Sequence, residues 1–252
     1  MLPIERRNQI LNKLTAEGKV VVGDLAALYN VTEETIRRDL DKLEKDGLAK
    51  KTYGGAVKED TQSVELPYTV RRQTNVDGKK YIANIIGNLI HDGDYILLDS
   101  SSTALFTVKA IADKSNITII TNSIEVLLEI PQKNDWRIIS TGGEYVCHGL
   151  SFAGRQAEGV IDEYNVDLAV ISCKGLDMVK GVTDTRDYNA QIKKAFMRSA
   201  RKVFLAVDNT KFDKVSFVKF SEISEIDAVV TDAEPNDEWK ALFAANNVEL
   251  YY

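Results

Sequence analysis

The fold of the first part of this chain is decided by one stretch, Asn30-Val31-Thr32-Glu33-Glu34-Thr35-Ile36-Arg37-Arg38-Asp39-Leu40. The Thr32 hydroxyl is suited to accept hydrogen bonds from the free amides of a first helical turn, so a helix is predicted to begin at Glu33. Ile36, Leu40 and Leu43 recur at i, i+4 and i+7 and must face a core. Gly47 is expected to close this helix, whose outer face then presents Arg37 and Arg38.

Two more helices are predicted before this stretch, over 5–17 with Gly18 at its end and over 24–29. The turn of three residues between the second and third helices is typical of a helix-turn-helix, whose last helix enters the major groove of DNA. Downstream, residues 48–53 and 56–57 flank Gly54-Gly55, a pair that permits the positive φ values of a hairpin turn. We therefore predict a small α+β head over 1–57, a winged helix-turn-helix.

This head is predicted to bind double-stranded operator DNA. Arginine can pair bidentately with guanine edges or phosphate, whereas side chains on the wing suit the backbone or the minor groove. The alternative is that the charges only solvate a helix face beside Glu34, Asp39 and Asp41. The joint occurrence of helix, turn, capped helix and basic hairpin favours DNA contacts by Thr32, Glu34, Thr35, Arg37, Arg38, Lys42, Lys50, Lys51 and Tyr53.

Charge divides unevenly along the chain. The 252 residues have a net charge of −6, but residues 1–58 contain eleven Lys/Arg and nine Asp/Glu, a net of +2, which leaves −8 for the rest. A basic head on an acidic body is expected where one end meets phosphate. The composition is that of a soluble protein without a signal peptide or membrane span, so we expect it in the cytoplasm. Cys147 and Cys173 lie in no metal-binding pattern, so neither a disulfide nor a metal site is expected.

The remainder is predicted to be an α/β domain over 76–252, joined to the head by a polar connection over 58–75 that contains Pro67. Apolar runs predict seven strands, over 95–98, 117–120, 137–140, 168–172, 203–207, 228–231 and 248–251. Helices are predicted between them, over 81–90, 104–112, 124–130, 190–200 and 239–245. This alternation favours a mainly parallel, Rossmann-like sheet.

Small polar or charged residues follow nearly every predicted strand of this domain. Because the carboxyl ends of parallel strands share one edge, these residues are expected to meet where α/β folds bind ligands. A Ser/Thr-rich loop that opens a helix suits a phosphate, so a sugar phosphate is the predicted ligand, although each residue could instead only cap a helix or be solvated. The candidates are Asp99, Ser100, Ser101, Ser102, Thr103, Thr121, Asn122, Thr141, Gly142, Gly143, Lys174, Gly175, Lys193, Asp208 and Lys211.

An enzyme is the competing interpretation. A sugar-phosphate isomerase or deaminase fused to the head would need a positioned general base, for which Asp99, Glu144, Asp184 or His148 could be nominated. No pair among them stands out, His91 is expected to cap a helix end, and no catalytic residue is assigned. A GxGxxG or P-loop motif is absent, so no cofactor is expected.

Along its whole length the chain resembles DeoR-type repressors. In the head the resemblance lies in residues 30–40, Leu43-Glu44 and Tyr53-Gly54-Gly55-Ala56; in the body it lies in Leu98-Asp99-Ser100, Thr121-Asn122, Thr141-Gly142-Gly143, Lys193 and Lys211-Phe212. The resemblance implies a body with the fold of ribose-phosphate isomerases and CoA transferases. It also implies repression of a carbohydrate operon that a phosphorylated sugar relieves.

Three short elements depart from the family pattern. The usual Asp-Ser-Gly-Thr-Thr loop reads Asp99-Ser100-Ser101-Ser102-Thr103, the common Ala-Asp-Gly reads Cys173-Lys174-Gly175, and Thr-Pro-Asn reads Thr183-Asp184-Thr185. A single head makes few contacts with DNA, and two-fold repressors read paired half-sites, so a homodimer or homotetramer is expected.

Overall fold

The computed structural model describes residues 1–58, 65–130 and 135–252. The chain divides into two compact units, Met1–Thr74 and Asn75–Tyr252. Each unit has its own hydrophobic core, and each is described by itself.

The first unit is a winged helix-turn-helix. Its elements are α1 (Pro3–Glu17), β1 (Lys19–Val21), α2 (Val22–Tyr29), α3 (Glu33–Lys45), β2 (Lys50–Thr52), β3 (Gly55–Val57) and α4 (Tyr68–Gln73). The three strands form an antiparallel sheet in the order β1-β3-β2. The predicted head is therefore confirmed as a fold.

The start and the inner face of α3 follow the sequence prediction. The Thr32 hydroxyl accepts a hydrogen bond from the Thr35 amide at 3.3 Å and caps the helix. Ile36, Leu40 and Leu43 are buried in a core shared with α1 and α2. Gly47 follows the helix with a φ of 70°, a left-handed conformation that glycine adopts without a steric penalty.

The reason for glycine in the wing differs from the prediction. Neither Gly54 nor Gly55 has the positive φ expected of the hairpin turn. Instead, a Cβ placed on Gly55 would lie 1.9 Å from the Val20 carbonyl oxygen, whereas one on Gly54 would meet no atom within 4 Å. Gly55 is required because β3 passes close to β1, a contact between strands that are distant in sequence.

The predicted connection over 58–75 contains a helix. Residues 68–73 form α4, and the side chains of Tyr68 and Val70 are buried. Val70 belongs to the core of the first unit, so this part of the chain packs against the head. Residues 59–64 lie outside the described residues.

The second unit is built on seven parallel strands. These are β4 (Tyr95–Leu98), β5 (Thr118–Thr121), β6 (Arg137–Ser140), β9 (Val166–Ile171), β12 (Ala200–Ala206), β14 (Ala228–Val230) and β15 (Glu249–Tyr251). Their order across the sheet is β15-β14-β12-β9-β4-β5-β6, and every neighbouring pair is parallel. The predicted Rossmann-like arrangement is confirmed.

Helices cover both faces of this sheet. They are α5 (Val76–Leu89), α6 (Ser102–Ala110), α7 (Ile124–Glu129), α8 (Arg155–Asp162), α9 (Asp187–Ser199) and α10 (Asp237–Ala245). Alternate strand residues point to opposite faces. Ile96 and Leu98 accordingly join the core under α5, α6 and α7, while Leu97 joins the core under α8, α9 and α10.

The predicted strands and helices of this unit are present, with shifted ends. The largest shift is at α5, which begins at Val76 instead of Tyr81 because its first turn is polar and lacks apolar periodicity. The prediction missed α8 and five short strands. These strands are β7 (Glu144–Val146) and β8 (Ser151–Ala153), which pair with each other, and β10 (Gly175–Asp177), β11 (Gly181–Asp184) and β13 (Val218–Ser221), which form a small antiparallel sheet.

The strand order creates a crevice at the carboxyl edge of the sheet. From β4 the chain continues to β5 and β6 on one side, and then returns to β9 on the other side of β4. Ligands of open α/β sheets bind outside the carboxyl ends of the strands at such a reversal. The loops after β4 and β9 are therefore where a ligand site is expected.

Candidate nucleic-acid interface and effector site

The predicted DNA-contacting residues form one face of the first unit, made by α3 and the wing. Thr32, Glu34, Arg37, Arg38, Lys42, Lys50 and Tyr53 are exposed, while Thr35 and Lys51 are half-buried. Tyr53 stands at the tip of the hairpin with its side chain fully exposed. This arrangement places an exposed helix and a protruding hairpin where the two grooves of a duplex can be contacted.

Four cations of this face are paired with carboxylates. Arg37 Nη2 lies 2.8 Å from Glu33 Oε2, Arg38 Nε lies 3.2 Å from Glu34 Oε1, and Lys42 Nζ lies 3.1 Å from Asp46 Oδ1. Lys51 on the wing donates a hydrogen bond to Asp41 of α3, which raises the pKa of the lysine. These four cations therefore have their charges balanced by neighbouring carboxylates.

Asp39 has a structural role that the sequence did not indicate. One interpretation of the sequence was that Asp39, like Glu34 and Asp41, lies on a solvated face of the helix. In the structure its side chain is only 5% exposed and accepts a hydrogen bond from Arg6 Nε at 2.5 Å. Arg7 Nη1 is 3.5 Å from the other Asp39 oxygen. This buried pair fixes α3 against α1 and so sets which residues of α3 face outward.

In the second unit, Asp99 joins β4 to β9 across the crevice. Its carboxylate accepts hydrogen bonds from the amides of Ser101 and Ser172, each at 2.9 Å. Ser101 in turn caps α6, since its hydroxyl accepts from the Ala104 amide at 3.0 Å. Asp99 and Ser101 are therefore engaged in holding the loop, whose remaining side chains are the half-buried Ser100 and the buried Ser102 and Thr103.

Lys193 enters this edge from α9 and contacts two carboxylates. Its ammonium group donates a hydrogen bond to Asp184 of β11 and lies 3.8 Å from Asp99 Oδ2. Burial by itself would lower the pKa of Lys193, but Asp184 and Asp99 hold it above the ordinary value. Lys193 is therefore charged and locally neutralised.

A second ion pair lies on the same edge, after β12. Lys211 Nζ is 3.5 Å from Asp208 Oδ2, and the Thr210 amide donates to Asp208 Oδ1 at 3.0 Å. Burial would raise the pKa of Asp208, but Lys211 and Thr210 hold it below the ordinary value. Cys173 lies between the two ion pairs, and its burial raises the pKa of the thiol to about 12 while Lys193 and Lys211 both oppose the shift.

At the carboxyl end of β5, Thr121 and the following residue, Asn122, have different roles. The Thr121 hydroxyl donates to the Leu98 carbonyl at 2.7 Å and accepts from the Ser123 amide at 3.0 Å, so it holds the strand ends together. The Asn122 amide group donates to the Phe152 carbonyl at 2.8 Å. Its Oδ1 atom is buried without a hydrogen-bond partner among the described residues. Asn122 thus has an acceptor atom near the edge that is buried and unused.

Two of the candidate glycines are required by packing. Gly143 has a φ of 106°, and a Cβ there would lie 2.6 Å from the Ala153 carbonyl oxygen. A Cβ on Gly175 would lie 2.4 Å from the Lys214 carbonyl oxygen. Gly142 has a φ of 57° and open space around it, Thr141 donates to the Gly142 carbonyl at 3.2 Å, and Lys174 is half-buried.

The residues nominated for catalysis do not make an evident acid–base pair. Asp99 and Asp184 both contact Lys193, while Glu144 and His148 are exposed on β7 and in the turn that follows it. Asp184 and Cys173 are the residues at this edge that the ligand prediction missed. Asp184 was nominated only as a possible general base, and its contact with Lys193 could not be foreseen, because that contact depends on where the small antiparallel sheet lies beside α9.

Two kinds of feature are absent from the described ranges, 1–58, 65–130 and 135–252. In these ranges no helix is long and apolar enough to cross a bilayer. In the same ranges no group of three or more histidine, cysteine or carboxylate side chains is placed to hold a metal ion.

A winged helix-turn-helix joined to a parallel α/β unit with a polar crevice defines a DNA-binding regulator with a sensor domain. Family models support this class: residues 6–62 match the DeoR-like helix-turn-helix domain, and residues 74–233 match the DeoR C terminal sensor domain. The chain belongs to the DeoR family of transcriptional regulators.

Curated relatives are similar over nearly the whole length. The HTH-type transcriptional regulator YulB of Bacillus subtilis is 35% identical over 92% of this chain and 90% of its own. The glycerol-3-phosphate regulon repressor of Escherichia coli is 30% identical over 99% of both chains. The L-fucose operon activator of Haemophilus influenzae is 30% identical over 90% of this chain and 91% of its own.

Among solved structures, the ribose 5-phosphate isomerase A of Methanocaldococcus jannaschii is similar at a TM-score of 0.40 and 18% identity, over 55% of each chain. The curated relatives are regulators of transcription.

Proposed function

We propose that this chain represses a carbohydrate operon by binding its operator through α3 and the wing, and that a phosphorylated sugar at the carboxyl edge of the parallel sheet releases it. Membership of the DeoR family supports DNA binding and sensing. One relative is named a repressor and another an activator. We propose that this chain acts in the cytoplasm as a homodimer or homotetramer.

The observation that supports a sugar ligand most directly is the unpartnered Oδ1 atom of Asn122. A buried acceptor without a hydrogen bond costs about 1–3 kcal/mol. A sugar hydroxyl can donate to this atom and remove the penalty. The sugar is therefore proposed to lie between the ends of β4 and β5, with Asn122 as a hydroxyl contact.

The phosphate is proposed to bind at the start of α6. The amides of the first turn of a helix and its positive dipole end favour an anion, and Ser100 and Ser102 add hydroxyl donors there. Lys193 is already neutralised by two carboxylates. Lys211 is less buried and has one carboxylate neighbour, so it is the better candidate to neutralise the phosphate.

The DNA-binding half is tested by an Arg37→Ala, Arg38→Ala double variant. Duplexes selected by the wild type from a random-sequence library provide the operator probe. The variant is expected to lose at least about tenfold in affinity, since each good bidentate contact is worth about 1–3 kcal/mol. Arg198→Ala with Arg201→Ala is the matched control, because both arginines are exposed in the second unit. Equal affinity of both double variants would refute the proposed interface.

The sensing half is tested by melting temperature against a panel of sugar phosphates. A ligand that binds only the folded state raises the melting temperature. Ser100→Glu should abolish that rise by repelling the phosphate, whereas Ser224→Glu should not, because Ser224 is exposed next to the amino end of β14. The active sugar phosphate should also release the protein from selected DNA. Release that persists in Ser100→Glu would place the ligand elsewhere.

Repression is tested with a reporter gene behind the selected operator. Expression is expected to fall when the chain is present and to recover when the sugar phosphate is added. An increase in expression on adding the chain would show activation instead.

A further inference from the structure

The DNA-contacting face has a charge arrangement that the proposed function does not require. Four of its cations, Arg37, Arg38, Lys42 and Lys51, each contact a carboxylate of the same unit. We call the partners Glu33, Glu34, Asp46 and Asp41 the acidic set. These four positive and four negative charges cancel, so the pairs weaken the positive potential that the face, which also carries the exposed Lys50, would otherwise present to duplex DNA.

These pairs do little for folding. Arg37 and Glu33 have side-chain exposures of 45% and 56%, and Arg38 and Glu34 of 77% and 66%. An exposed pair four residues apart on a helix shifts the helical equilibrium by only about twofold. The energy of these two ion pairs therefore gives no strong reason for Glu33 and Glu34, which also favour the dipole at the start of α3.

We propose that the acidic set determines DNA specificity by competing with phosphate for the cations. On non-operator DNA an arginine would exchange one carboxylate for one phosphate and gain little. On the operator the same arginine also forms hydrogen bonds to a base edge. The free energy of these bonds exceeds the loss of the ion pair with the carboxylate. The acidic set thus lowers affinity for random sequence more than affinity for the operator.

This inference rests on the proposed DNA-contacting face, and the test separates the two. The full chain and its Glu33→Gln, Glu34→Gln variant are titrated over a range of salt concentrations against a labelled duplex of random sequence and against the selected operator duplex. Binding driven by phosphate contacts weakens with salt by a log–log slope of about −0.9 per neutralised phosphate. The variant is expected to bind the random duplex about three- to tenfold more tightly at low salt, with a slope steeper by about two, because Arg37 and Arg38 are both released to contact phosphate. An equal gain on both duplexes overturns the inference, because specificity is a difference of affinities.

The matched control is Glu17→Gln. Glu17 pairs with Lys13 at 2.5 Å, also four residues apart on an exposed helix surface, and the substitution changes the net charge of the same unit. It lies on α1 and outside the proposed face. The α3 variant removes two negative charges and the control removes one, so the gains are compared per charge removed. A logarithmic gain by the α3 variant more than twice that of Glu17→Gln supports the inference, and a gain of twice that value or less overturns it.

A second variant avoids any effect on the start of α3, where acidic residues favour the helix dipole. Asp46→Asn frees Lys42 at the carboxyl end of the helix, and it too should tighten binding to the random duplex more than Glu17→Gln does. Circular dichroism confirms that each variant is folded. Loss of affinity for DNA in the Arg37→Ala, Arg38→Ala variant, while neither acidic variant binds the random duplex more tightly, would support the proposed DNA-contacting face and contradict the role of the acidic set. If none of them changes binding, the proposed face itself is wrong.

Discussion

At the scale of single residues, burial and partners separate structural side chains from those available to a ligand. Asp99, Thr121 and Ser101 look like ligand residues in the sequence, but each is engaged with backbone amides or carbonyls. Asn122 is different because its Oδ1 atom is buried and unpartnered among the described residues. The better candidates for effector contacts are therefore side chains that have an unused hydrogen-bonding atom or are partly exposed.

Replacement of Lys193 tests how much the buried carboxylates of Asp99 and Asp184 depend on its positive charge for the stability of the fold. In Lys193→Met, Asp184 and Asp99 would remain buried without their cation, and removal of one partner from a buried ion pair costs about 3–5 kcal/mol. The free energy of unfolding, measured by urea titration with circular dichroism, is expected to fall by that amount. Lys202→Met is the control, since Lys202 is exposed and should change stability by less than about 0.5 kcal/mol. Equal losses in both variants would contradict the charge cluster.

The two cysteines are expected to differ in reactivity. Cys147 is exposed and Cys173 is buried, and burial raises the pKa of the Cys173 thiol from 9.0 to about 12. A thiol reagent at mildly alkaline pH should therefore modify Cys147 in the native protein and reach Cys173 only after denaturation. Cys147→Ser should then show no fast reaction in its native state. Fast modification of native Cys147→Ser would show that Cys173 is accessible.

The same thiol predicts a dependence of stability on pH. The folded protein keeps the Cys173 proton up to a pKa of about 12, whereas the unfolded chain releases it near 9.0. Because the folded state then binds more protons, the free energy of unfolding should decrease as pH rises through this window. Comparison with Cys173→Ala, which lacks the thiol, isolates this contribution. Identical slopes for the two proteins between these pH values would contradict it.

At the scale of elements, the head is predictable because its decisive contacts are local. The cap at Thr32, the inward stripe of α3 and the glycine after it all lie within one short segment. The glycines of the wing also predict the hairpin. Glycine is required at position 55, however, because β3 passes close to β1, and not because Gly55 has a positive φ. Small strands such as β7 and β10 escape prediction because three residues are too few to establish a period.

Gly55 and Gly54 form a matched pair for testing this close approach. Gly55→Ala would place a methyl group 1.9 Å from the Val20 carbonyl oxygen and must displace β1 or β3, whereas Gly54→Ala meets open space. We expect Gly55→Ala to lower the unfolding free energy by at least about 1–3 kcal/mol, as overpacking does. Gly54→Ala should change it little. Similar melting temperatures for the two variants would show that the strands do not approach as described.

At the scale of the whole molecule, a DNA-binding head and a sensor domain in one chain suit a regulator that reads paired sites. Duplexes selected by the full chain should contain two half-sites whose centres are about 10 base pairs apart, or a multiple of that spacing. Analytical ultracentrifugation should then find at least two chains on each duplex. An unrepeated site occupied by one chain would contradict the proposed homodimer or homotetramer.

The sequence by itself determined the winged helix-turn-helix and the parallel α/β unit, because caps, glycine positions and apolar periods are properties of short segments. Residues 30–40 alone identify the helix that is proposed to face DNA. Only the tertiary structure brought Asp184 to Lys193, left Asn122 with a free acceptor and placed Val20 against Gly55. These contacts depend on strand order and on how distant segments pack, and hydrophobic periodicity holds no information about which strands become neighbours.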